Sequence, residues 1–355
     1  MKRTQYVLGA IVAAAGLAHT ALAGFSAGNL VLFQAGDGSA ALANNSPFSI
    51  VEVTTGAGQT VPVSSAAISV NNNMWCSATA TSTGYLSLSQ DRSSVQWDAH
   101  TQRAAIGTNE NTITARGVGS LNQAGTFSLL GSYTGASGNQ CRSAGLLTSG
   151  DLYIADQGGL YASGGTAAAL AGNYRNAHVF GGTLYVGQAS STAAMVSSES
   201  GAPASPTLTA LPSLASNSNF QDFYMVSSAN DGNFDLLYVT TTTTINKFHL
   251  ESGAWVAKGT AASGGFFGIA AEANPAGSGF ALFVTTGTGA TSANLVKEFV
   301  DSAAPGANIA LDAGTTIYTT AANTTLKGIE LAPTPAPGAL VLLGLGGLVA
   351  SRRRR

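Results

Sequence analysis

The chain has 355 residues, enough for two average domains or for one large all-β domain. Charged residues make up only 9% of it, against about 25% in an ordinary soluble domain, and 44 residues are glycine. This composition excludes a coiled coil, a charged disordered tail and a typical helical cytosolic enzyme. Hydrophobic residues, at 45%, are sufficient for a large core, so a folded body is expected.

The first 23 residues have the organisation of a secretory signal peptide. Two basic residues at positions 2 and 3 precede an apolar run over residues 6–18, and Ala21-Leu22-Ala23 forms a small-x-small cleavage site before Gly24. The apolar run is shorter than the roughly 20 residues that a spanning helix needs. Cleavage after Ala23 is therefore favoured over an N-terminal membrane anchor.

Residues 24–28 match the G-x-S-x-G pattern of a hydrolase nucleophile elbow, with Ser26 at its centre. Such an elbow needs a strand before the serine and a helix after it. Gly24 is the expected new N-terminus, so no strand precedes Ser26. The match does not predict a nucleophile.

Between Gly24 and about Ala332, short apolar runs alternate with turn residues. The runs are about five residues long, rich in Leu, Tyr, Val and Phe, and bounded by Gly, Asn, Asp or Ser, as is typical of strands and hairpins. The clearest copies begin at Leu30, Leu86, Leu152, Leu184, Leu237 and Leu282. This pattern predicts an all-β body over residues 24–332.

A second recurring element, rich in small residues, lies before several of these runs. Its copies begin at Arg142, Arg175, Gln221, Phe267 and Lys327. Glycine and alanine on a strand allow neighbouring backbones to approach closely, as the innermost strands around a channel must. Successive units start about 33 to 62 residues apart, which brackets the roughly 40 to 50 residues of a propeller blade.

These units predict a β-propeller of six four-stranded blades, or of seven if the long unit over residues 84–140 contains another. The last unit, Lys327 to Leu331, is a lone strand, and the mature N-terminus opens on Leu30 to Phe33 without an inner strand before it. We expect both ends to form one blade that closes the ring and removes exposed edges. A β-sandwich or a β-helix is the alternative.

The C-terminal segment, residues 333–355, combines three features in order. A Pro-rich spacer at Pro333, Pro335 and Pro337 precedes an apolar stretch, Gly338 to Ala350, and the chain ends in four arginines, Arg352, Arg353, Arg354 and Arg355. The arginines are expected to stay on the cytoplasmic side. The apolar stretch of about 13 residues suits a transient anchor better than a permanent span.

This order of parts resembles the PEP-CTERM sorting tail of bacteria, in which a membrane-embedded exosortase cuts near a Pro-Glu-Pro motif. Here Pro335-Ala336-Pro337 stands where Pro-Glu-Pro would be, and the nearest acid is Glu330. The body also looks like secreted propeller-like proteins that carry such tails. The resemblance implies contact with the export machinery, transient inner-membrane contact and exosortase-type processing, but no known reaction. A plain tail anchor is the alternative.

Removing both terminal segments changes the charge balance. Nine basic residues then face 17 acidic ones, a net charge of about −8. A body this acidic has no electrostatic footprint for nucleic acid. Its many hydroxyl and amide side chains suit an extracellular polysaccharide matrix.

Three groups of residues have side chains of types that bind metals or react chemically. Asp231, Asn233 and Asp235 alternate like the opening of a calcium loop, but Leu236 replaces its glycine and no distal Glu follows, so an ordinary turn also explains them. The sequence indicates no other cofactor. His100, His178 and His249 have no close-set partner, so surface or channel-lining positions are expected for them. Cys76 and Cys141, the only two cysteines, are predicted either to form a disulfide or to be two free buried thiols.

Two hypotheses about function follow. The first is a non-catalytic cell-surface or matrix protein that binds glycan or protein through its loops. The second is a secreted lyase or glycosidase on a propeller scaffold, because fold does not decide function. A glycosidase needs two carboxylates facing each other across a cleft. Asp156, Asp222 and Glu272 lie near inner-strand positions and are the candidates.

Overall fold

A computed structural model describes residues 24–261, 264–287 and 293–335. Within these ranges the chain forms 24 β-strands, a five-residue helix, Ile68–Asn72, and a 3₁₀ turn, Glu110–Thr112. In the described part of the chain, no helix is long and apolar enough to span a membrane. The signal peptide, Ala336, Pro337, the apolar stretch and the arginines lie outside the described residues.

The strands form six four-stranded antiparallel sheets, the blades of a propeller. Blade 1 consists of β4 (Ser87–Leu88), β5 (Ser94–His100), β6 (Ala115–Asn122) and β7 (Phe127–Thr134). Blade 2 consists of β8 (Cys141–Leu146), β9 (Leu152–Asp156), β10 (Gly159–Ala162) and β11 (Leu170–Ala171). Blade 3 consists of β12 (Tyr174–Phe180), β13 (Thr183–Gln188), β14 (Val196–Glu199) and β15 (Leu208–Ala210).

The remaining blades complete the ring. Blade 4 consists of β16 (Phe220–Val226), β17 (Leu236–Thr241), β18 (Ile245–Glu251) and β19 (Ala254–Ala261). Blade 5 consists of β20 (Gly265–Ala273), β21 (Phe280–Gly287), β22 (Ala293–Asp301) and β23 (Thr315–Thr319). Blade 6 consists of β24 (Thr325–Leu331), β1 (Leu30–Ala35), β2 (Phe48–Val53) and β3 (Ser64–Ala66). The first strand of each blade contacts its neighbours around a common axis.

Blade 6 joins the two ends of the body, which confirms the predicted closure. Strand β24 pairs antiparallel with β1, with Leu30 opposite Leu331 and Leu32 opposite Ile329. The β-sandwich and β-helix alternatives are excluded by the six separate sheets. The pairing leaves neither terminal strand as an open edge.

The described residues contain no seventh blade. The unit over residues 84–140 is long because the connection between β5 and β6 covers residues 101–114 and includes the 3₁₀ turn. Both carboxylate oxygens of Glu110 lie within hydrogen-bond distance of the Ala104 amide, which organises this loop. The additional residues of this unit therefore form a loop and not a further sheet.

The Leu-rich runs are mostly the second strands of their blades. Strand β17 is buried along its whole length, and β21 is buried up to its last residue. Because each blade packs between two neighbours, both faces of its second strand are covered by apolar side chains. A near-continuous apolar run is the sequence pattern of such a strand, as in the buried strands of layered sheets.

The inner strands approach one another closely at glycines, as predicted. The amide of Gly328 on β24 donates to the carbonyl of Gly84 ahead of β4, at 2.8 Å, and so links blades 6 and 1. A Cβ at Gly328 would lie 2.5 Å from the amide nitrogen of Leu86 and 2.6 Å from the carbonyl oxygen of Gly84. Both obstacles are backbone atoms, which cannot rotate away.

We expect Gly328→Ala to lower the free energy of unfolding by about 2 kcal/mol, because overpacking against fixed backbone forces strands apart. Gly277→Ala is the matched control, since its nearest heavy atom is 3.8 Å away and its φ is not positive. The measurement is chemical denaturation of both purified variants. Equal stability of the two variants would contradict the argument.

Candidate functional site

One side chain from each blade contributes to a cluster at the upstream end of the inner strands, which we call the axial ring. Its members are Tyr85, Arg142, Arg175, Gln221, Phe267 and Lys327, in the order of blades 1 to 6. Five of them are the first residues of the small-residue element seen in the sequence. All are buried except Arg175, which is half-buried.

A β-bulge accompanies the ring position in five of the six blades. In β8, β12 and β16 the strand pairing skips one residue, namely Arg142, Arg175 or Gln221. In β20 and β24 the irregularity includes Phe267 and Lys327. A bulge inserts an extra residue and re-aims its side chain, so the repeated bulges explain why these positions leave the regular alternation.

All the ring side chains except Arg142 contact another ring side chain. The Tyr85 hydroxyl donates to Gln221 Oε1 at 2.8 Å, which joins blade 1 to the opposite blade 4. Arg175 Nη1 donates to the same oxygen at 2.6 Å. The ring of Tyr85 stacks on Phe267 with centroids 4.6 Å apart, and Lys327 Nζ lies 5.2 Å from the Phe267 centroid.

A second polar cluster, the His178 cluster, lies further along the inner strands. His178 Nε2 is 3.0 Å from Asp222 Oδ1, and His178 Nδ1 is 3.8 Å from Glu330 Oε2. The Tyr224 hydroxyl donates to Glu330 Oε1 at 2.9 Å. All four side chains are buried.

Burial and charge act in opposite directions on the proton affinities of this cluster. Burial lowers the pKa of His178, but the hydrogen bond and charge of Asp222 and the charge of Glu330 outweigh it, so the pKa lies above its ordinary value. Burial raises the pKa of Asp222 and the pKa of Glu330. The cluster therefore holds protons more tightly than its separate groups would in water.

An open cleft of about 330 Å³ lies at the downstream end of the inner strands. Its chemically distinctive lining residues are Arg92, Phe180, Tyr224, Phe234 and Glu272. Phe180 is 5.4 Å from Phe234 and 5.1 Å from Tyr224 between ring centroids, so the three rings form one aromatic wall. Arg92 is exposed and Glu272 is half-buried.

Tyr224 connects the cleft to the His178 cluster. Its ring lines the cleft, whereas its hydroxyl contacts the buried Glu330 carboxylate. Burial raises the pKa of Glu272, which faces the cleft. A ligand in the cleft could therefore stack on the aromatic wall. It could also contact the Arg92 cation and the Glu272 carboxyl group, whose pKa is raised.

The three predicted carboxylates do not meet across a cleft. Glu272 lines the cleft, but Asp222 is buried against His178. Asp156 is buried in an ion pair with Arg116, and it also accepts from the Tyr133 hydroxyl at 2.7 Å. The Tyr133 hydroxyl also contacts Asp98 Oδ2 at 2.6 Å within blade 1, so Tyr133 links Asp98 of blade 1 to Asp156 of blade 2, a contact that no sequence spacing indicated.

The histidines are not isolated: His100 and His178 have partners on strands of neighbouring blades, and His249 has a partner on its own strand β18. His178 lies on the inner strand β12, where it is buried. His249 is partly exposed, and its Nδ1 is 3.0 Å from Glu251 Oε1. His100 is neither at the surface nor on an inner strand: it is fully buried on β5, and its Nε2 is 3.5 Å from Cys141 Sγ. The surface expectation for His100 is therefore wrong, since neighbouring blades cover its strand.

Cys76 and Cys141 are both free and buried. Cys76 Sγ contacts the carbonyl oxygen of Ser46 at 3.8 Å, whereas Cys141 lies against His100. Burial raises the pKa of the Cys76 thiol to about 12 and raises the pKa of Cys141. Of the two sequence alternatives, the structure thus has the pair of free thiols.

The calcium candidates are engaged in local hydrogen bonds. Asp231 accepts from the Asn233 amide at 2.9 Å, and Asp235 accepts from the Ser228 amide at 2.8 Å. These contacts describe a turn, and calcium binding stays a prediction. Ser26 is followed by strand β1 instead of a helix, so its surroundings are not those of a nucleophile elbow.

No family model matches the sequence, and no curated protein is significantly similar to it. Among solved structures, the chain is similar to a candidate 6-phosphogluconolactonase of Bacteroides uniformis, with a TM-score of 0.43 and 16% identity over 81% of this chain and 83% of that one. It is similar to the Pseudomonas aeruginosa periplasmic gluconolactonase, with a TM-score of 0.44 and 10% identity over 85% and 99%. A Lactobacillus plantarum protein gives a TM-score of 0.46 and 10% identity over 85% and 99%.

We expect His178 to titrate above the ordinary histidine value of about 6.5. In Asp222→Asn, its pKa should fall below that value, because burial then acts with less opposition. A raised folded-state pKa contributes stability that is present below about pH 6.5 and is lost as the pH rises through the folded pKa. NMR titration of the histidine ring protons measures the shift.

Asp231→Asn is the control for the charge change, because Asp231 is exposed. It should leave the His178 titration unchanged. A wild-type His178 that titrates below 6.5 would contradict the assignment of Asp222 as the dominant partner.

Proposed function

We propose that this chain is an exported cell-surface or extracellular-matrix protein whose propeller binds glycan without catalysis. The observation that carries the proposal is the aromatic cleft at the downstream end of the inner strands. A sugar ring has an apolar C–H face and a rim of hydroxyls. The cleft offers matching aromatic faces together with Arg92 and Glu272 as hydrogen-bonding groups.

Binding is favoured over hydrolysis because the cleft exposes a single carboxylate among the described residues that line it. Glycosidases need a second carboxylate on the other side of the scissile bond. Glu330, a member of the His178 cluster, is 1% exposed and lies behind Tyr224. A sugar in the cleft would contact Glu272 but not Glu330.

Export is proposed from the two terminal segments. The segment after β24 contacts the propeller as far as Thr334, whose amide donates to the Arg92 carbonyl at 2.9 Å. Pro333 is buried, whereas Pro335 is exposed. A cut at the Pro335-Ala336-Pro337 motif would therefore leave the closing strand β24 in place and release a complete propeller.

For the binding proposal, we expect Phe234→Ala to weaken glycan affinity about fivefold, since loss of an aromatic contact costs roughly 1 kcal/mol. Phe234→Tyr keeps the ring and should retain most of the affinity. The experiment is a glycan array of the purified protein, followed by calorimetric titration of the glycan that binds. Equal affinity in wild type and Phe234→Ala would exclude the cleft as the binding site.

The second candidate function is a secreted carbohydrate-active enzyme, favoured by the raised pKa of Glu272. Mass spectrometry of the bound oligosaccharide after incubation distinguishes the two functions. Cleavage that is lost in Glu272→Gln, with binding retained, would replace the non-catalytic proposal. An intact oligosaccharide supports it.

For the sorting proposal, wild-type protein from the cell surface should have lost its C-terminal arginines. Replacing Arg352 to Arg355 with serine should let the tail cross the membrane, because the charges that resist translocation are gone. An unprocessed form with the complete C-terminus should then appear outside the cell. Intact-mass measurement checks both forms. Surface wild-type protein that still ends at Arg355 would favour a plain tail anchor.

A further inference from the structure

The axial ring brings together three cations whose donor groups meet neutral acceptors. Arg142, Arg175 and Lys327 form no ion pair among the described residues. Arg142 Nη1 donates to Asn173 Oδ1 at 2.7 Å and to the Tyr174 carbonyl at 2.6 Å. Lys327 Nζ donates to the Ala80 carbonyl at 2.9 Å. In a body with a net charge of about −8, the lack of a direct carboxylate partner here is unexpected.

The donors of two blades converge on one neutral oxygen. Gln221 Oε1 receives both the Tyr85 hydroxyl and Arg175 Nη1. A carboxylate or phosphate oxygen would fit the same donors better, because hydrogen bonds from a guanidinium to an anion are stronger than those to a neutral amide. The neutral Gln221 Oε1 thus accepts hydrogen bonds from donors that suit an anionic oxygen.

Two guanidinium nitrogens in the ring have no acceptor. Arg142 Nε and Arg175 Nε are buried and lack a hydrogen-bond partner. Arg142 is only 2% exposed, so its unpaired N–H is costly unless a ligand satisfies it. Burial, followed by the charge of Arg175, lowers the pKa of Arg142 to about 9. Burial also lowers the pKa of Lys327 to about 8. Burial is the main cause of both shifts.

Only one member of the axial ring is partly exposed to solvent. Arg175 is half-buried, while the other five side chains are buried. Tyr85 and Phe267 close the axis by stacking, so a polymer cannot pass through. A ligand at this end must be small, or it must present one anionic group to Arg175.

We propose that the axial ring is an anion-binding site that takes a carboxylate or phosphate group through Arg175 and Arg142, with Tyr85 as a neutral donor. The site lies at the opposite end of the inner strands from the aromatic cleft. Anion binding at the axial ring can therefore be tested independently of glycan binding at Phe234. Because Tyr85, Arg142 and Arg175 come from blades 1, 2 and 3, an anion bound there would link these three blades and stabilise the closed ring.

The test is thermal unfolding and calorimetric titration of the purified protein with sodium phosphate and with sodium glucuronate. Sodium chloride at equal ionic strength controls for screening, and glucose controls for the neutral sugar. At about 100 times Kd, a specific anion should raise Tm by several degrees. A larger effect of phosphate identifies a phosphate ligand, and a larger effect of glucuronate identifies an acidic sugar.

Three variants make the result specific. Arg175→Gln should abolish the anion-dependent rise, whereas Arg103→Gln, which removes an exposed arginine beside Trp75, should retain it. Gln221→Glu places a carboxylate at the convergence point without changing side-chain size. It should raise Tm in the absence of ligand and eliminate the response to added anion.

A response to phosphate and glucuronate that persists in Arg175→Gln would overturn the proposal. So would a wild-type rise that sodium chloride reproduces in full. Gln221→Glu separates these outcomes from a folding defect, because a folded variant that is less stable than wild type and still responds to anions contradicts the site directly.

Discussion

Antiparallel pairing between β24 and β1 is the contact on which the rest of the structure depends. These strands lie almost 300 residues apart in the chain, yet they are neighbours in one sheet, with Val31 opposite Glu330. The pairing gives the last inner strand a partner and places Gly328 against blade 1. Without it, two edges would be exposed and the ring would lack its sixth inner strand.

Closure forces six inner strands into a small space around the axis, and the chain responds in two ways. Glycines such as Gly268 and Gly328 let backbones approach to distances that a Cβ would prevent. Bulges at Arg142, Arg175 and Gln221 turn long polar side chains away from the regular pleat. The same crowding thus creates both the tight packing of the inner strands and the axial ring.

The inner strands carry different chemistry at their two ends. The upstream end holds cations with neutral acceptors, whereas the downstream end holds Glu330 and Glu272 beside the aromatic wall. His178 and Asp222 lie between them in a buried pair. Because these groups are shielded from water, their charges interact more strongly than surface charges would. The two ends are therefore suited to different ligands.

The sequence by itself predicted a propeller of six or seven units and the use of both termini in one blade. These properties depend on local patterns, namely apolar runs, turn glycines and small residues at the inner-strand positions. It also showed the signal-like N-terminus and the sorting-like tail, which are read directly from composition and order. For the same reason it located five ring positions, although nothing in the pattern revealed that they meet.

Only the tertiary structure decided which side chains share a site. His178 meets Asp222 from 44 residues away, and Tyr85 meets Gln221 from 136 residues away, because these pairs lie on different blades. Blade packing also buried His100, which sequence placed at the surface or on an inner strand, and it separated Asp156 from Glu272. Contacts of this kind depend on how the ring closes and on the bulge in each strand. Neither ring closure nor the position of a bulge produces a regular residue spacing in the sequence, so the pairing of the site residues could be seen only in the folded structure.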